Sequence, residues 1–313
     1  MNREIISQLT ELSRHYQQEK EKFRAIAYAK AAAAVKNMNQ PITSASQLDG
    51  IKGIGPKIKQ KIEQFIEEGR IRKLASIKAH QDPKRVAAIN DFLTIYGIGP
   101  VAAAKLYDDH GIKNLTHLTR ASEKDPSLLT AAQKIGLRYR EDLLKRIPHD
   151  FINTFQFTVA YCLHSAFGET FKLQTAGSFR RNKSTSGDID IMLQSSRFGL
   201  KDAVEVLITY GLITDILALD SKKFMGVAVC KGIDSVVPFR LDIFMVDESN
   251  WWPALVTHTG PKDLNTMMRS KAASMGMKLS DQGLWKGDRK LKVTSERDLF
   301  KKLDMDYIEP TER

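Results

Sequence analysis

The chain has 313 residues and a mass of 35.3 kDa, too long for one small module, and at 42% hydrophobic and 27% charged it fits neither general disorder nor a membrane protein. Its net charge is +11, and +7 of that falls in residues 1–80, where ten Lys and five Arg stand against eight Asp and Glu; a polyanion is the expected partner. Lys30 interrupts the alanine-rich run from Ala25 to Val35, so no apolar stretch approaches the roughly 18 residues of a spanning helix, and Met1-Asn2-Arg3-Glu4 opens no apolar signal core.

Ile5, Ile6, Leu9 and Leu12 recur at helical spacing and predict a helix from Ile5 to about Tyr16; an alanine-rich helix carrying Arg24 and Lys30 follows over Phe23–Val35. The stretch Asn37-Met38-Asn39-Gln40-Pro41 breaks helix, and Ser44 to Leu48 begins a short one. The Lys-rich segment ending near Gln81-Asp82-Pro83 reads as a linker to a second helical unit over 84–147, closed by Ile147-Pro148. Then the pattern changes. A helix over 150–166 leads to strands expected at Phe171–Thr175, Asp188–Leu193, Gly226–Gly232 and Phe239–Val246, with a helix from Leu200 to Tyr210 among them. Beyond Trp251-Trp252 the chain is expected to be helical to about Ser274 and to end in short mixed elements. Cys162 and Cys230 show no metal-ligand spacing and suit a reducing, intracellular compartment.

One motif occurs twice, as Gly53-Ile54-Gly55-Pro56 and Gly97-Ile98-Gly99-Pro100, each expected to join two helices. The glycines permit a tight turn, and the amides at the start of the second helix point outward with the positive end of its dipole, where a backbone phosphate fits. Such loops read phosphate and not base edges, so they predict nucleic-acid binding without sequence preference.

A second constellation is Gly177-Ser178-Phe179-Arg180-Arg181, followed by Ser186-Gly187-Asp188-Ile189-Asp190. Residues two apart on a strand face one side, so Asp188 and Asp190 project together. Their mutual repulsion calls for a cation, and hard oxygen ligands suit magnesium bridging carboxylates and phosphates. Arg240-Leu241-Asp242 alternates in the same way and could add Asp242, giving the carboxylate set of a two-metal phosphoryl transfer. Arg240 is placed to pair with Asp242. Asn265 and Arg269 lie one helical turn apart, as do Lys57 and Lys61.

These motifs, with Lys223-Phe224-Met225-Gly226-Val227 and Thr259-Gly260, resemble family X DNA polymerases of the DNA polymerase beta type over nearly the whole chain. The resemblance implies a multidomain α+β fold. Residues 1–82 would form a helical lyase domain with a helix-hairpin-helix motif, 83–147 a helical duplex-binding subdomain with a second one, 148–250 a palm of nucleotidyltransferase fold, and 251–313 a small mixed α/β subdomain over the nascent base pair. With Met1 opening directly on the first helix and no BRCT-like extension expected ahead of it, the resemblance points to the short repair polymerases. The resemblance further implies metal ligation by Asp188, Asp190 and Asp242, triphosphate contacts from Ser178, Arg181, Gly187 and Arg146, and contacts of Asn265 and Arg269 with the new base pair and the template. Lys61 takes the place of the Schiff-base lysine of a 5′-deoxyribose-phosphate lyase, with Lys57, Arg24 and Tyr28 around the 5′-phosphate and Gly53, Gly55, Gly97 and Gly99 in the DNA-binding hairpins.

The implied cofactors are two Mg2+, replaceable by Mn2+, and a monovalent cation, Na+ or K+, at the hairpins. The implied partners are gapped or nicked double-stranded DNA and dNTP, with the chain a monomer, no membrane, and the nucleus of a eukaryote, or otherwise cytoplasm or a viral factory, as location. The sequence departs from the type at four places: Thr257-His258 replaces an aromatic pair, Lys262 and Gln60 replace acids, and Phe244 replaces a basic residue. A template-independent nucleotidyltransferase and a non-catalytic DNA-binding module with a degenerate palm are the alternatives; the two hairpins with the Asn265 and Arg269 pair count against the first, the three aspartates against the second.

Overall fold

The structure is a computed structural model that describes residues 1–38, 40–51, 53–80, 82–168, 171–230 and 237–313. The chain divides into two units, residues 1–133 and 134–313.

The first unit is helical: α1 (Asn2–Gln18), α2 (Lys22–Lys36), α3 (Pro56–Glu68), α4 (Arg72–His80), α5 (Pro83–Phe92), α6 (Pro100–Asp108) and α7 (Leu115–Lys124). Ile5, Leu9, Leu12 and Tyr16 form the buried stripe of α1 and meet Ala25, Tyr28, Ala31, Ala32 and Val35 of α2. The small alanines of α2 let the two helices approach closely, and Ile58, Ile62 and Phe65 of α3 close this core. The segment read as a linker is instead helix α4, because Ile71 and Leu74 bury themselves in the same core. Asp82 then caps α5 by accepting from Lys84 N at 2.9 Å, and Asn114 caps α7 by accepting from His117 N at 2.8 Å. The helix α8 (Ala131–Arg138) runs across the division.

The second unit continues with α9 (Arg140–Leu143), β1 (Ile147–Pro148), α10 (His149–Phe167), β2 (Phe171–Thr175), α11 (Gly177–Arg180), β3 (Thr185–Ser186), β4 (Ile189–Ser195), α12 (Leu200–Thr209), β5 (Ile213–Leu219), β6 (Lys223–Ala228) and β7 (Phe239–Met245). A five-stranded sheet has the order β2-β4-β7-β6-β5; β4 and β7 are parallel, the other pairs antiparallel. One face of it is covered by α10 and α12 over a core that includes Phe155, Ile191, Leu207, Phe224 and Leu241. The strand expected at 226–232 starts earlier, at Lys223, since Phe224 pairs with Ile243 in the core register; its residues 231–232 lie outside the described ones. The edge strand β5 is not legible in the sequence: its burial alternates, but Asp215 takes an inward position and Ile216 an exposed one, so the apolar pattern does not follow it.

The chain ends with α13 (Trp251–Thr259), α14 (Lys262–Ser274), a three-stranded antiparallel sheet of β8 (Met277–Ser280), β9 (Gly283–Lys286) and β10 (Arg289–Leu291), and α15 (Glu296–Lys302), around a core holding Met268, Leu284 and Phe300. Among the described residues no helix is long and apolar enough to cross a membrane. Cys162 and Cys230 are buried free thiols.

Candidate active site

The parallel pairing of β4 and β7 sets Asp190 opposite Asp242. On β7, Phe239, Leu241, Ile243 and Met245 enter the core while Arg240, Asp242 and Phe244 take the other face; on β4, Ile189, Ile191 and Leu193 go in while Asp190 and Met192 go opposite. The alternation that builds the sheet therefore also delivers two carboxylates to one surface. Asp188 lies just before β4, and its carboxylate pairs with Arg240, whose Nε also reaches Asp242 Oδ1 at 3.3 Å. Lys223 Nζ lies 3.9 Å from Asp242 Oδ2.

Electrostatics in this corner are unfavourable without a further cation. Burial, and then the charge of Asp242, push the Asp190 carboxyl up to about 7 against the pull of Lys223 and Arg181. Burial raises Asp242 as well, against Arg240 and Lys223. Oδ1 of Asp242 is buried, and although Arg240 is near it accepts no hydrogen bond. A hard divalent cation suits this donor set: it supplies the missing partner of Oδ1 and relieves the repulsion between the two carboxylates. Among the described residues no three acidic, His or Cys side chains converge as a ligand group, Asp188 being engaged by Arg240. Gly177 makes room for the pair: its φ is +57°, and a Cβ there would lie 2.3 Å from Asp190 Oδ2.

In front of these residues opens a cleft of about 360 Å³ lined by Ser178, Arg181, Asp188, Asp190, Asn265 and Arg269 among the sequence-predicted residues, with Thr257 to Lys262 along its wall. Ser178 Oγ donates to Ser186 Oγ at 2.7 Å. Arg181 donates to Thr259 O, whereas Arg180 donates to Thr259 Oγ1 at 2.9 Å and pairs with Glu296. The two arginines thus hold one turn of α13 from two sides. Asn265 Nδ2 donates to Thr257 O at 2.7 Å, and the His258 ring lies on Phe244 at 3.8 Å and 27°. Burial of that ring takes His258 down to about 4, so it is neutral. Gly187 and Arg146 adjoin one another, a Gly187 Cβ lying 3.1 Å from an Arg146 guanidinium nitrogen, but neither lines the cleft; Arg146 donates to Thr185 O at 2.7 Å.

In the first unit a pocket of about 1090 Å³ gathers Arg24, Tyr28, Gly53, Gly55, Lys57 and Lys61, and adds Lys30 and Lys73. Gly53 has φ +101° and Gly55 precedes α3, whose first residue is Pro56. The second hairpin repeats this, with Gly97 at φ +82° and Gly99 preceding Pro100 of α6. In both, the isoleucine between the glycines donates its amide to the isoleucine three residues earlier, at 3.1 Å. Gly97 O differs in being taken by Gln133 Nε2 at 2.9 Å. Tyr28 stacks on Tyr16 at 5.4 Å, and burial together with Tyr16 pushes its hydroxyl up to about 12, which keeps it a proton donor. Lys59 is engaged by Asp49 at 2.6 Å.

Sequence reasoning missed several contributors. Lys73 was hidden by reading α4 as a linker. Glu296 gives no local signal, and Thr259, although part of a recognised motif, has no role there, because their partners Arg180 and Arg181 lie 78 to 116 residues away. Lys223 stood inside a recognised motif without a role.

Four protein-family descriptions match successive parts of the chain: a helix-hairpin-helix domain over residues 1–71, the fingers domain of DNA polymerase lambda over 90–144, the DNA polymerase beta palm over 146–248 and the DNA polymerase beta thumb over 254–313. The chain is 30% identical to DNA polymerase lambda of Rattus norvegicus over 334 residues, with all of this chain and 56% of the relative covered. It is 27% identical to DNA polymerase lambda of Arabidopsis thaliana, with all of this chain and 62% of the relative covered. It is 24% identical to a DNA nucleotidylexotransferase of Xenopus laevis, with 96% and 66% covered. The chain thus spans a little over half to about two thirds of the length of these relatives.

Proposed function

The chain belongs to the family X DNA polymerases, and on that premise we propose that it is a template-directed DNA polymerase that fills short gaps during repair. The supporting observation is the in-register pair Asp190 and Asp242 beside a cleft lined with phosphate-binding side chains. Asp188, Asp190 and Asp242 would hold two Mg2+, with Mn2+ an effective substitute. Bound there, the metal lowers the pKa of the primer 3′-hydroxyl and neutralises charge on the triphosphate.

The protein's own groups do the rest. Ser178 and Arg181, joined by Gly187 and Arg146 at the neighbouring loop, donate to triphosphate oxygens, and Arg181 adds charge where the leaving pyrophosphate gathers it. Arg240 restrains Asp188 and Asp242 before the cation enters. Asn265 and Arg269 border the new base pair and template from α14.

The pocket of the first unit supports a second activity, 5′-deoxyribose-phosphate lyase. Gly53, Gly55 and Lys57 hold the 5′-phosphate, with Arg24 and Tyr28 beside it. The Lys61 amine adds to C1′ of the opened sugar and water leaves to form an imine; loss of a C2′ proton then expels the 3′-phosphate. The substrates are gapped or nicked duplex DNA and dNTP, the chain acts as a monomer, and a sodium or potassium ion at the hairpins would assist phosphate binding.

Primer extension on gapped DNA with and without a template strand tests this reading. Template-dependent incorporation supports it. Equal incorporation on single strands favours a template-independent transferase, a reading the nucleotidylexotransferase relative raises; no incorporation with either metal rejects both.

A further inference from the structure

Two of the places where this chain departs from the polymerase beta type, Phe244 and His258, meet each other. Their rings are stacked at 3.8 Å between centroids with 27° between planes. Phe244 lies on β7 two residues beyond Asp242 and on the same face, and His258 lies in the last turn of α13, where it belongs to the wall of the cleft. Lys223 Nζ sits 5.2 Å from the Phe244 ring centroid and 3.9 Å from Asp242 Oδ2. A continuous line of contacts therefore runs from the strand that carries the buried carboxylate to the wall that faces the nucleotide.

We propose that the Phe244–His258 stack is a latch that fixes the α13 wall against β7 before a nucleotide arrives. Resting on the nucleotidyl-transfer reading, it makes Phe244 and His258 positioning residues for substrate binding. The imidazole is neutral and half-buried, so it spends no desolvation of charge in stacking on an apolar ring. The stack draws His258 onto the sheet, which leaves Thr257 beside it on the wall with its carbonyl held by Asn265 at 2.7 Å. Arg180 and Arg181 clamp Thr259 on the other side, so the turn is held at three successive residues. A wall fixed in advance costs the nucleotide no ordering of its own.

The test is a double-mutant cycle in the full chain with Phe244→Ala, His258→Ala and the pair, read as KM for dNTP, kcat, and hydrogen exchange at the Gly260 amide, which is bonded to Val256 O at 3.0 Å. Either single change is expected to raise KM by about three- to tenfold, the worth of an aromatic pair, with a smaller effect on kcat, and to speed Gly260 exchange by a similar factor. The pair should do no more than either single change, and His258→Phe should restore the parental KM. Multiplying effects in the pair, an unchanged KM, or no rescue by His258→Phe overturns the latch. Exchange is measured without substrate, so if the parent chain incorporates no nucleotide the transfer reading fails while the exchange rates still decide whether the stack holds the wall.

Discussion

The palm cleft and the pocket of the first unit hold reactive groups in opposite ways. In the palm, two carboxylates are driven into the protein, set opposite one another and left short of positive charge. In the first unit, Lys57 is exposed and Lys61 half-buried, and both share an open pocket with further cations. In the proposed reading the difference follows from what each chemistry lacks. A metal-dependent transfer needs a site whose cost is repaid when the cation binds, whereas an imine-forming lysine needs only an amine beside a phosphate grip. In the proposed reading that grip falls to the backbone, whose hairpin geometry occurs twice within different side-chain surroundings.

The largest way to break this contrast is Asp190→Ala or Asp242→Ala. Loss of several kcal/mol of charge stabilisation corresponds to a drop in incorporation of about a thousandfold or more. Gapped-DNA binding should survive, because phosphate contacts by the hairpins supply it; magnesium-dependent extension above a trace in either variant would exclude the assignment. Lys57→Ala should have a milder effect. It should raise the substrate concentration needed by the lyase about tenfold, leave the single-turnover rate at saturation, and lower the salt slope of binding by about one. A slope equal to the parent's would take Lys57 off the phosphate.

A smaller effect sharpens the electrostatic half of the comparison. With Asp190 pushed up to about 7, it is mostly protonated at pH 6 in the metal-free chain and mostly ionised at pH 8. Cation binding should therefore release about 0.9 proton at pH 6 and about 0.1 at pH 8, measurable by calorimetry in buffers of different ionisation enthalpy. Because the folded value lies above the ordinary carboxylate value, this group's contribution to metal-free stability is full below about pH 4 and is lost as pH rises through 7; bound metal should restore it. Proton release independent of pH would show that the carboxylate is not perturbed.

What the sequence revealed, and what it withheld, divides along the same physical line. Helices with a regular apolar stripe, such as α1, and strands whose alternation is unbroken, such as β7, were readable because local periodicity and burial agree. So were the hairpins, where residue type and spacing set the turn; among the carboxylates spacing offered Asp188 with Asp190, whereas Asp242 comes opposite Asp190 only through the pairing of β7 with β4. The strand β5, with Asp215 inward and Ile216 exposed, and α4, with few buried residues, lacked that agreement. Long-range ties were invisible for another reason: nothing near Arg180 announces Glu296, and nothing near Phe244 announces His258.

The smallest expected effect concerns the sugar. With a threonine at 257 and His258 turned onto Phe244, the wall offers less bulk than an aromatic pair would. Ribonucleotides should be rejected less strongly than by relatives with that pair, and Thr257→Tyr should improve rejection severalfold. Discrimination as strong as in those relatives would assign it to the Thr257 backbone carbonyl.

The most direct measurement follows both reactions on one gapped substrate bearing a 5′-incised abasic sugar, in the parent chain, Asp190→Ala and Lys61→Ala. Two separable sites predict a crossed result: Asp190→Ala keeps borohydride trapping and loses gap filling, while Lys61→Ala keeps gap filling and loses trapping. Loss of both reactions in either variant, or parental trapping in Lys61→Ala, would contradict the account.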